Sequence, residues 1–460
     1  MIILVYLTVG PPSRGTMNLS YVSAIATSVI VALFFLLYGV SSVRERQPRA
    51  ALLSFGMFVI VVLPLAGGFM WWHPPDSAVS LATAVVWVLG LLYFLPLNKP
   101  TPIVASAITD QVDERNGIFA REEYRPGSNK YEKYYSEHPQ LKEGDDRLRR
   151  LPELLEPGGR YYNPEQSPQI KTVFRTIQAL TTQVDGEVGG CKMSKDPTTM
   201  TSEIKQMVHE MGADEVGITR LNPMFVYSHV GRGPESWGKP IELDHQLAIV
   251  FTLEMNYDQV RKAPDLPITK ESARQYLRAA NISIDLARYI RSLGYPARAH
   301  ISGSNYQIML PPVAHDAGLG ELSRMGYLVS QKYGPRVRLG GVTTDLPLVT
   351  DHPIVFGVQD FCAVCLKCAE ICPSAAIPRG GKTLVRGVEK WQLNVEQCSW
   401  YWRVAGTDCG LCMKVCPYSH PPTLVHNLVR YGIRHSTFAR QISVWGENLF
   451  YGRGGTVDAL

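Results

Sequence analysis

Eight of the nine cysteines fall between Cys362 and Cys416, in the runs FCAVCLKCAEICP and CGLCMKVCP, with Cys398 between the two. Thiolates at three-residue intervals along a tight loop close on three corners of one cubane, while a fourth cysteine followed by proline turns toward a neighbouring cluster. That crossover predicts one [4Fe-4S] cluster on Cys362, Cys365, Cys368 and Cys416, and a second on Cys372, Cys398, Cys409 and Cys412. The chemistry such a module performs is electron transfer. CxxC pairs also bind zinc, and paired cysteines also cross-link small secreted domains. Zinc motifs rarely place three cysteines at three-residue intervals ending in Cys-Pro, and disulfide frameworks spread through a domain instead of crowding one end. Cys191, alone in VGGCKMS, reads as a structural or free thiol.

Clusters deliver electrons and choose no substrate, so the elements upstream must do so. From Pro168 the pattern is globular: IKTVFRTIQALTTQV has helical apolar spacing, and SEIKQMVHEMGADEVGITRL reads as helix, glycine stop and strand. HQLAIVFTLEM predicts a buried strand, ESARQYLRAANISIDLARYIRSLG a long amphipathic helix stopped at Gly294, and YPARAHIS a further strand. No dinucleotide fingerprint, which needs strand, glycine turn and helix together, is present.

The first hundred residues differ in composition. Ser20 to Val40, Ala51 to Trp72 and Val79 to Leu97 are long apolar stretches, each near the roughly 30 Å that a helix needs to cross a bilayer. One signal peptide does not account for three segments. Arg44, Arg46 and Arg49 lie in the first connection and no Lys or Arg in the second, which predicts a cytoplasmic first loop and a cytoplasmic catalytic portion. Met17 is an alternative start to Met1, and His73 is the sole histidine of this region. The expected organisation is a membrane anchor over 1–98 with helices at about 20–40, 51–72 and 79–97. A polar linker or cover follows over 99–167, a catalytic domain over 168–350, a two-cluster domain over 351–425, and a C-terminal segment over 426–460 packing on the catalytic domain. A net charge of +5 over 460 residues gives no case for nucleic-acid binding.

The segment DAGLGELSRMGYLVSQKYGPRVRLGGVTTDLPL, followed by FGVQDFCAVCLKCAEICPSAAI and CGLCMKVCPYSHP, resembles the corrinoid- and iron–sulfur-dependent reductive dehalogenases from about Pro168 onward. Epoxyqueuosine reductase is a related family, but its glycine turn usually reads GLGWIGK, and here Gly318-Leu319-Gly320-Glu321-Leu322-Ser323-Arg324 stands. The resemblance implies a nitroreductase-like α/β (α+β) core that binds cobalamin or a related corrinoid base-off, joined to a bacterial ferredoxin-like module with two [4Fe-4S] clusters.

It also implies a site. Tyr276 matches the family's proton donor, Arg338 the basic residue beside it, and Asn305 the asparagine that lines the substrate pocket. A phenol is a weak acid, and an adjacent guanidinium stabilises its phenolate. Tyr306 is a rival donor if the register slips by one, and Trp237 and Tyr306 are aromatic residues that could shape an apolar cavity. Gly318, Gly320 and Gly334 are expected to let the backbone approach the corrinoid, although plain packing would need glycine as well. The family binds its corrinoid without a lower histidine, so His300, His315 and His352 read as structural.

The implied reaction replaces carbon–halogen by carbon–hydrogen in a small organohalide. Ferredoxin, flavodoxin or a quinol-linked protein would donate the electrons, at a bacterial inner membrane that the chain crosses several times. Homo-oligomer formation stays open. The competing readings are an epoxyqueuosine-reductase-like corrinoid enzyme and a membrane-bound electron-transfer subunit. The roughly two hundred residues before the clusters weigh against the last, because a bare two-cluster ferredoxin needs far fewer.

Overall fold

The computed structural model describes residues 19–71, 76–105, 108–233, 237–303 and 306–453. Asn305, Met17, Trp72 and His73 lie outside the described residues. The chain divides into two compact units, Met1–Pro100 with Pro421–Gly455, and Thr101–His420 with Thr456–Leu460.

In the first unit, helices Leu19–Arg44, Pro48–Trp71 and Asp76–Phe94 are apolar along most of their length. Two spans, Val22–Arg44 and Ser77–Phe94, are long and apolar enough to cross a membrane, and the middle helix is apolar over Pro48–Leu63. Val29, Ile30, Leu33, Leu81 and Val88 are more than half exposed, a set of side chains that water would not favour. The C-terminal helices Leu424–His435 and Thr437–Tyr451 belong to this unit, which corrects the expectation that residues 426–460 pack on the catalytic domain. The reason is aromatic packing and close approach. Phe450 lies 5.0 Å from the Tyr38 ring, a Cβ on Gly432 would stand 2.2 Å from the Tyr93 ring, and the Tyr93 hydroxyl bonds Ser443 Oγ at 2.8 Å. Buried Glu45 accepts from Ser41 Oγ at 2.8 Å and faces His426 Nε2 at 2.7 Å.

The second unit is built on a four-stranded sheet in the order β1 (Glu215–Arg220), β2 (Leu247–Glu254), β6 (Val337–Thr344), β3 (Ala297–His300), antiparallel at every pairing. Alternation in β2 sends Ile249, Phe251 and Leu253 to one face and Ala248 and Val250 to the other. The first face is covered by the 27-residue helix Leu266–Ser292, which buries Ile282, Ile284, Leu286, Ala287 and Ile290. The second is covered by the helix Leu310–Asp316 through Leu310, Val313 and Ala314. Each buried aliphatic or aromatic side chain here contributes about 1.5–3 kcal/mol relative to exposure. The core is therefore mixed α+β, and β1, β2, β3 and the long helix lie where the apolar patterns predict them. Short pairs β4 (Glu321–Leu322) with β5 (Leu328–Val329) and β7 (Thr383–Val385) with β8 (Val388–Lys390) complete the strands among the described residues.

Residues 99–167 are more ordered than a polar linker. Helices Ile118–Glu122, Asn129–Glu137 and Pro139–Arg149 enclose a core of Ala120, Tyr124, Tyr131, Tyr134 and Tyr135. Tyr131 and Tyr135 meet edge to face at 4.6 Å, Arg149 stacks over the Tyr131 ring at 5.2 Å, and buried Arg121 pairs with Asp145 at 3.2 Å. Trp237 belongs to this cluster, donating to the Tyr124 hydroxyl at 3.0 Å, and not to a substrate cavity.

Candidate active site

Two short helices, Val358–Val364 and Lys367–Ile371, carry Cys362 and Cys368 and leave Cys365 in the turn between them. Cys372 ends the second helix in extended backbone ahead of Pro373. In the second run Cys409 and Gly410 both take left-handed backbone, φ 57° and 73°, before the single turn Leu411–Lys414 that carries Cys412. A cysteine in that conformation is uncommon and marks a place where the surroundings dictate the backbone.

None of the nine cysteines is paired in a disulfide. Cys372, Cys398, Cys409 and Cys412 line one hollow of about 450 Å³, mouth included, with Tyr327, Tyr401, Trp402 and Asp408. The electrostatic neighbours of Cys416 and Cys412 follow the two predicted groups, while Cys368 also senses Cys412 across them. Burial, then Cys362, Cys365 and Cys368, push the Cys416 thiol well up, and burial, then Cys409, Cys398 and Cys372, do the same to Cys412. Burial likewise pushes Cys362 and Cys398 up to about 11. Four neighbouring, partly buried thiols that repel each other as thiolates make a costly hollow unless a metal centre takes up the charge, which is the condition under which thiolate ligands deprotonate.

The acid site is built where the long helix crosses β6. Asp265 caps the helix, its carboxylate accepting from Leu266 N at 2.7 Å, with Pro267 in the first turn. Thr269, Ser272 and Tyr276, three and four residues apart, share one face. Arg338, opposite Leu253 in the sheet, places its guanidinium 5.1 Å from the centre of the Tyr276 ring. It is held there by Ser272 Oγ at 2.7 Å, Asp408 Oδ2 at 3.2 Å and the Met413 sulfur at 3.9 Å. Asp408 also accepts from Thr269 Oγ1 at 2.7 Å and from Ser272 Oγ. Burial pushes the Arg338 guanidinium down, but Tyr276, Asp408 and Tyr327 outweigh it, so the cation is held more firmly than usual.

Tyr306 lies within electrostatic reach of Tyr276 and Arg338. Burial first, then Tyr276, raise its phenol well above the ordinary range, while Arg232 and Arg338 oppose the shift. Tyr227, Tyr306, Tyr327 and Arg338 are each partly buried. Arg338 Nε is buried without a protein partner.

The structure thus brings Tyr276 and Arg338 together, beside the hollow of the second cysteine group. The three glycines behave differently: a Cβ at Gly318 would lie 2.6 Å from His352 O, at Gly320 2.2 Å from Val329 O, and at Gly334 2.1 Å from Tyr418 O. The close approach they permit is to the chain's own backbone, the packing alternative of the sequence analysis. Gly334 (φ 62°) seats β6 against the residues just after Cys416. Gly334→Ala is expected to destabilise by at least ~2 kcal/mol, read as earlier thermal loss of visible cluster absorbance. His300 is buried against Thr343 Oγ1 at 2.9 Å, and His315 Nδ1 lies 2.8 Å from Gly320 O, both structural contacts.

Sequence reasoning missed Asp408, Ser272 and Arg324. Ser272 stands one helical turn before Tyr276 and Asp408 directly precedes Cys409, signals that point to them only once the fold is known. Arg324 is buried, with Nε donating to Cys362 O at 3.0 Å and Nη1 to Pro378 O and Gly380 O at 2.8 Å each.

Comparison with known proteins agrees with this arrangement. The profile of the 4Fe-4S dicluster domain matches residues 361–420. The tetrachloroethene reductive dehalogenase of Sulfurospirillum multivorans is 34% identical over 277 residues, 53% of this chain and 55% of that protein. The epoxyqueuosine reductase of Lactococcus garvieae (strain Lg2) is 31% identical over 257 residues, 48% of this chain and 70% of that one. The solved structure of the catabolic reductive dehalogenase NpRdhA in complex with 3-bromo-4-hydroxybenzoic acid superposes with a TM-score of 0.63 at 28% identity, covering 80% of this chain and 52% of that one. The chain therefore spans about half the length, or less, of the tetrachloroethene dehalogenases it matches. Fold, dicluster domain and these likenesses together relate the chain to the reductive dehalogenases and to epoxyqueuosine reductase.

Proposed function

We propose that the chain is a membrane-anchored, corrinoid-dependent reductive dehalogenase that exchanges a halogen for hydrogen in a small organohalide. The balance is R–X + 2e⁻ + H⁺ → R–H + X⁻. The observation that carries the reading is the Tyr276 phenol beside a firmly protonated Arg338, adjacent to the hollow of Cys372, Cys398, Cys409 and Cys412. A relative's structure is described as suggesting a mechanism for B12-dependent dehalogenation. In this chain the buried Arg338 Nε beside the Tyr276 ring has no protein partner, a donor that a large polar-edged group such as a corrinoid would satisfy. When bound, that group supplies the reduced cobalt at which the carbon–halogen bond is cleaved.

The residues do the rest. Cys362, Cys365, Cys368 and Cys416 would hold one cluster and Cys372, Cys398, Cys409 and Cys412 the other, each storing one electron. Tyr276 Oη would deliver the proton to the substrate carbon, and Arg338 would stabilise the phenolate that remains. Asp408 and Ser272 keep the guanidinium against the ring instead of letting it turn elsewhere. Asn305, next to Tyr306 in sequence, is proposed to line the substrate pocket. Halide release from tetrachloroethene or a bromophenol by the cluster- and corrinoid-loaded protein, with reduced methyl viologen as donor, tests this reading. Absence of halide release together with reduction of an epoxide would favour the epoxyqueuosine-reductase-like alternative, which the match to 70% of the Lactococcus garvieae enzyme supports.

The three N-terminal helices are proposed to cross the bacterial inner membrane, with Arg44, Arg46 and Arg49 holding the first connection, and so the catalytic unit, on the cytoplasmic side. Ferredoxin, flavodoxin or a quinol-linked protein would supply electrons there. The protein is expected to stay with the membrane through alkaline carbonate washing and to leave it in detergent; release by carbonate would contradict the anchor.

A further inference from the structure

The two cysteine groups have different charged surroundings, and the difference has a sign. Beside the first group lies Arg324, 2% exposed, whose partners are all backbone carbonyls: Cys362, Pro378 and Gly380. Its guanidinium lies 4.5 Å from the centre of the buried Trp391 ring, and Lys382 sits 4.9 Å from the same centre. Among the described residues no carboxylate pairs with Arg324, so a full positive charge remains next to Cys362, Cys365 and Cys368. Glu321, whose charge reaches Cys362, accepts from the N–H groups of Phe356 and Val358 at 2.8 and 3.1 Å, and burial favours its neutral form. Beside the second group the cation is Arg338, and Asp408, which lines that hollow, neutralises it at 3.2 Å. Lys414, the other cation within reach of Cys409, is exposed to water and donates to Ala263 O.

A reduced cluster carries one more negative charge than an oxidised one, so a nearby unpaired cation favours reduction and a neutral ion pair does not. We propose that Arg324 sets the order in which the clusters take electrons, making the cluster of Cys362, Cys365, Cys368 and Cys416 the first to be reduced. The cluster beside Tyr276 and Arg338 then works at the lower potential. This rests on the two-cluster reading above. Each cluster accepts one electron from an external one-electron donor, so the pair together holds the two electrons the reaction consumes. The more weakly held of the two sits next to the acid site, where reducing power is spent.

The test is a dye-mediated redox titration, followed by paramagnetic resonance, of the full-length protein in detergent after anaerobic loading with iron and sulfide. Cys398→Ser marks the signal of the second cluster. In the wild type that signal is expected to have the lower midpoint. Arg324→Gln is expected to lower the other midpoint and shift the partition of one electron between the clusters by about tenfold, which is 59 mV for one electron. Arg324→Lys, which keeps the charge, stays near the wild-type value. A second cluster that reduces first in the wild type overturns the proposal, and so does an Arg324→Gln midpoint that does not move or moves equally at both clusters. If Arg324→Gln fails to hold iron, the wild-type order still decides. A wild type with fewer than two clusters fails the reading beneath the proposal, a different result from two clusters whose midpoints ignore Arg324.

Discussion

Tyr276→Phe is expected to keep iron, corrinoid and fold while losing turnover on the order of 10²–10⁴-fold, the range a general acid contributes. The substitution removes one oxygen from a ring that packs against the sheet core and rests under Arg338, so packing is conserved and the proton is lost. Tyr306→Phe is the control. Its phenol senses Tyr276 and Arg338, but burial holds it firmly protonated, which disfavours proton release. Halide release under reduced methyl viologen separates them: near-wild-type rates in Tyr276→Phe, or a larger loss in Tyr306→Phe, would move the proton donor to Tyr306.

Arg338→Met is expected to cost stability as well as turnover. It leaves Asp408, about one-tenth exposed, with only the Thr269 and Ser272 hydroxyls as side-chain partners, and removing one member of a buried pair costs about 3–5 kcal/mol. Asp408→Asn alone frees the guanidinium and is expected to lower turnover by loosening its hold on Tyr276, while leaving iron content intact. If the pair acts as a unit, Arg338→Met with Asp408→Asn costs clearly less than the sum of the two single changes. Loss of cluster absorbance on heating measures the stability part and halide release the catalytic part. Simple additivity in both would contradict the coupling.

What the sequence made legible followed from local spacing. The cysteines are legible because cluster ligation is fixed by short intervals and a proline, and the sheet strands because β2 alternates apolar residues cleanly between two covered faces. Tyr276 and Arg338 are 62 residues apart by number and look like ordinary surface residues alone; only the resemblance paired them. Asp408 escaped notice because its partner Ser272 is 136 residues away. The 99–167 segment was misread because its core is tyrosine, whose hydroxyls bond Asp145, Asp146 and Asn116 and so give a polar composition to a packed cluster. The C-terminal helices have strong amphipathic patterns, yet an amphipathic face does not name its partner, and it is the N-terminal helices that cover it.

The central claim is a corrinoid enzyme fed by two clusters, and its most direct measurement is the iron and corrinoid content of the anaerobically purified, cobalamin-reconstituted full-length protein, with visible and paramagnetic resonance spectra. One corrinoid with about eight irons, the sum of two four-iron cubanes, is the result expected. Eight irons with no corrinoid retained would contradict the claim and leave an electron-transfer protein in its place.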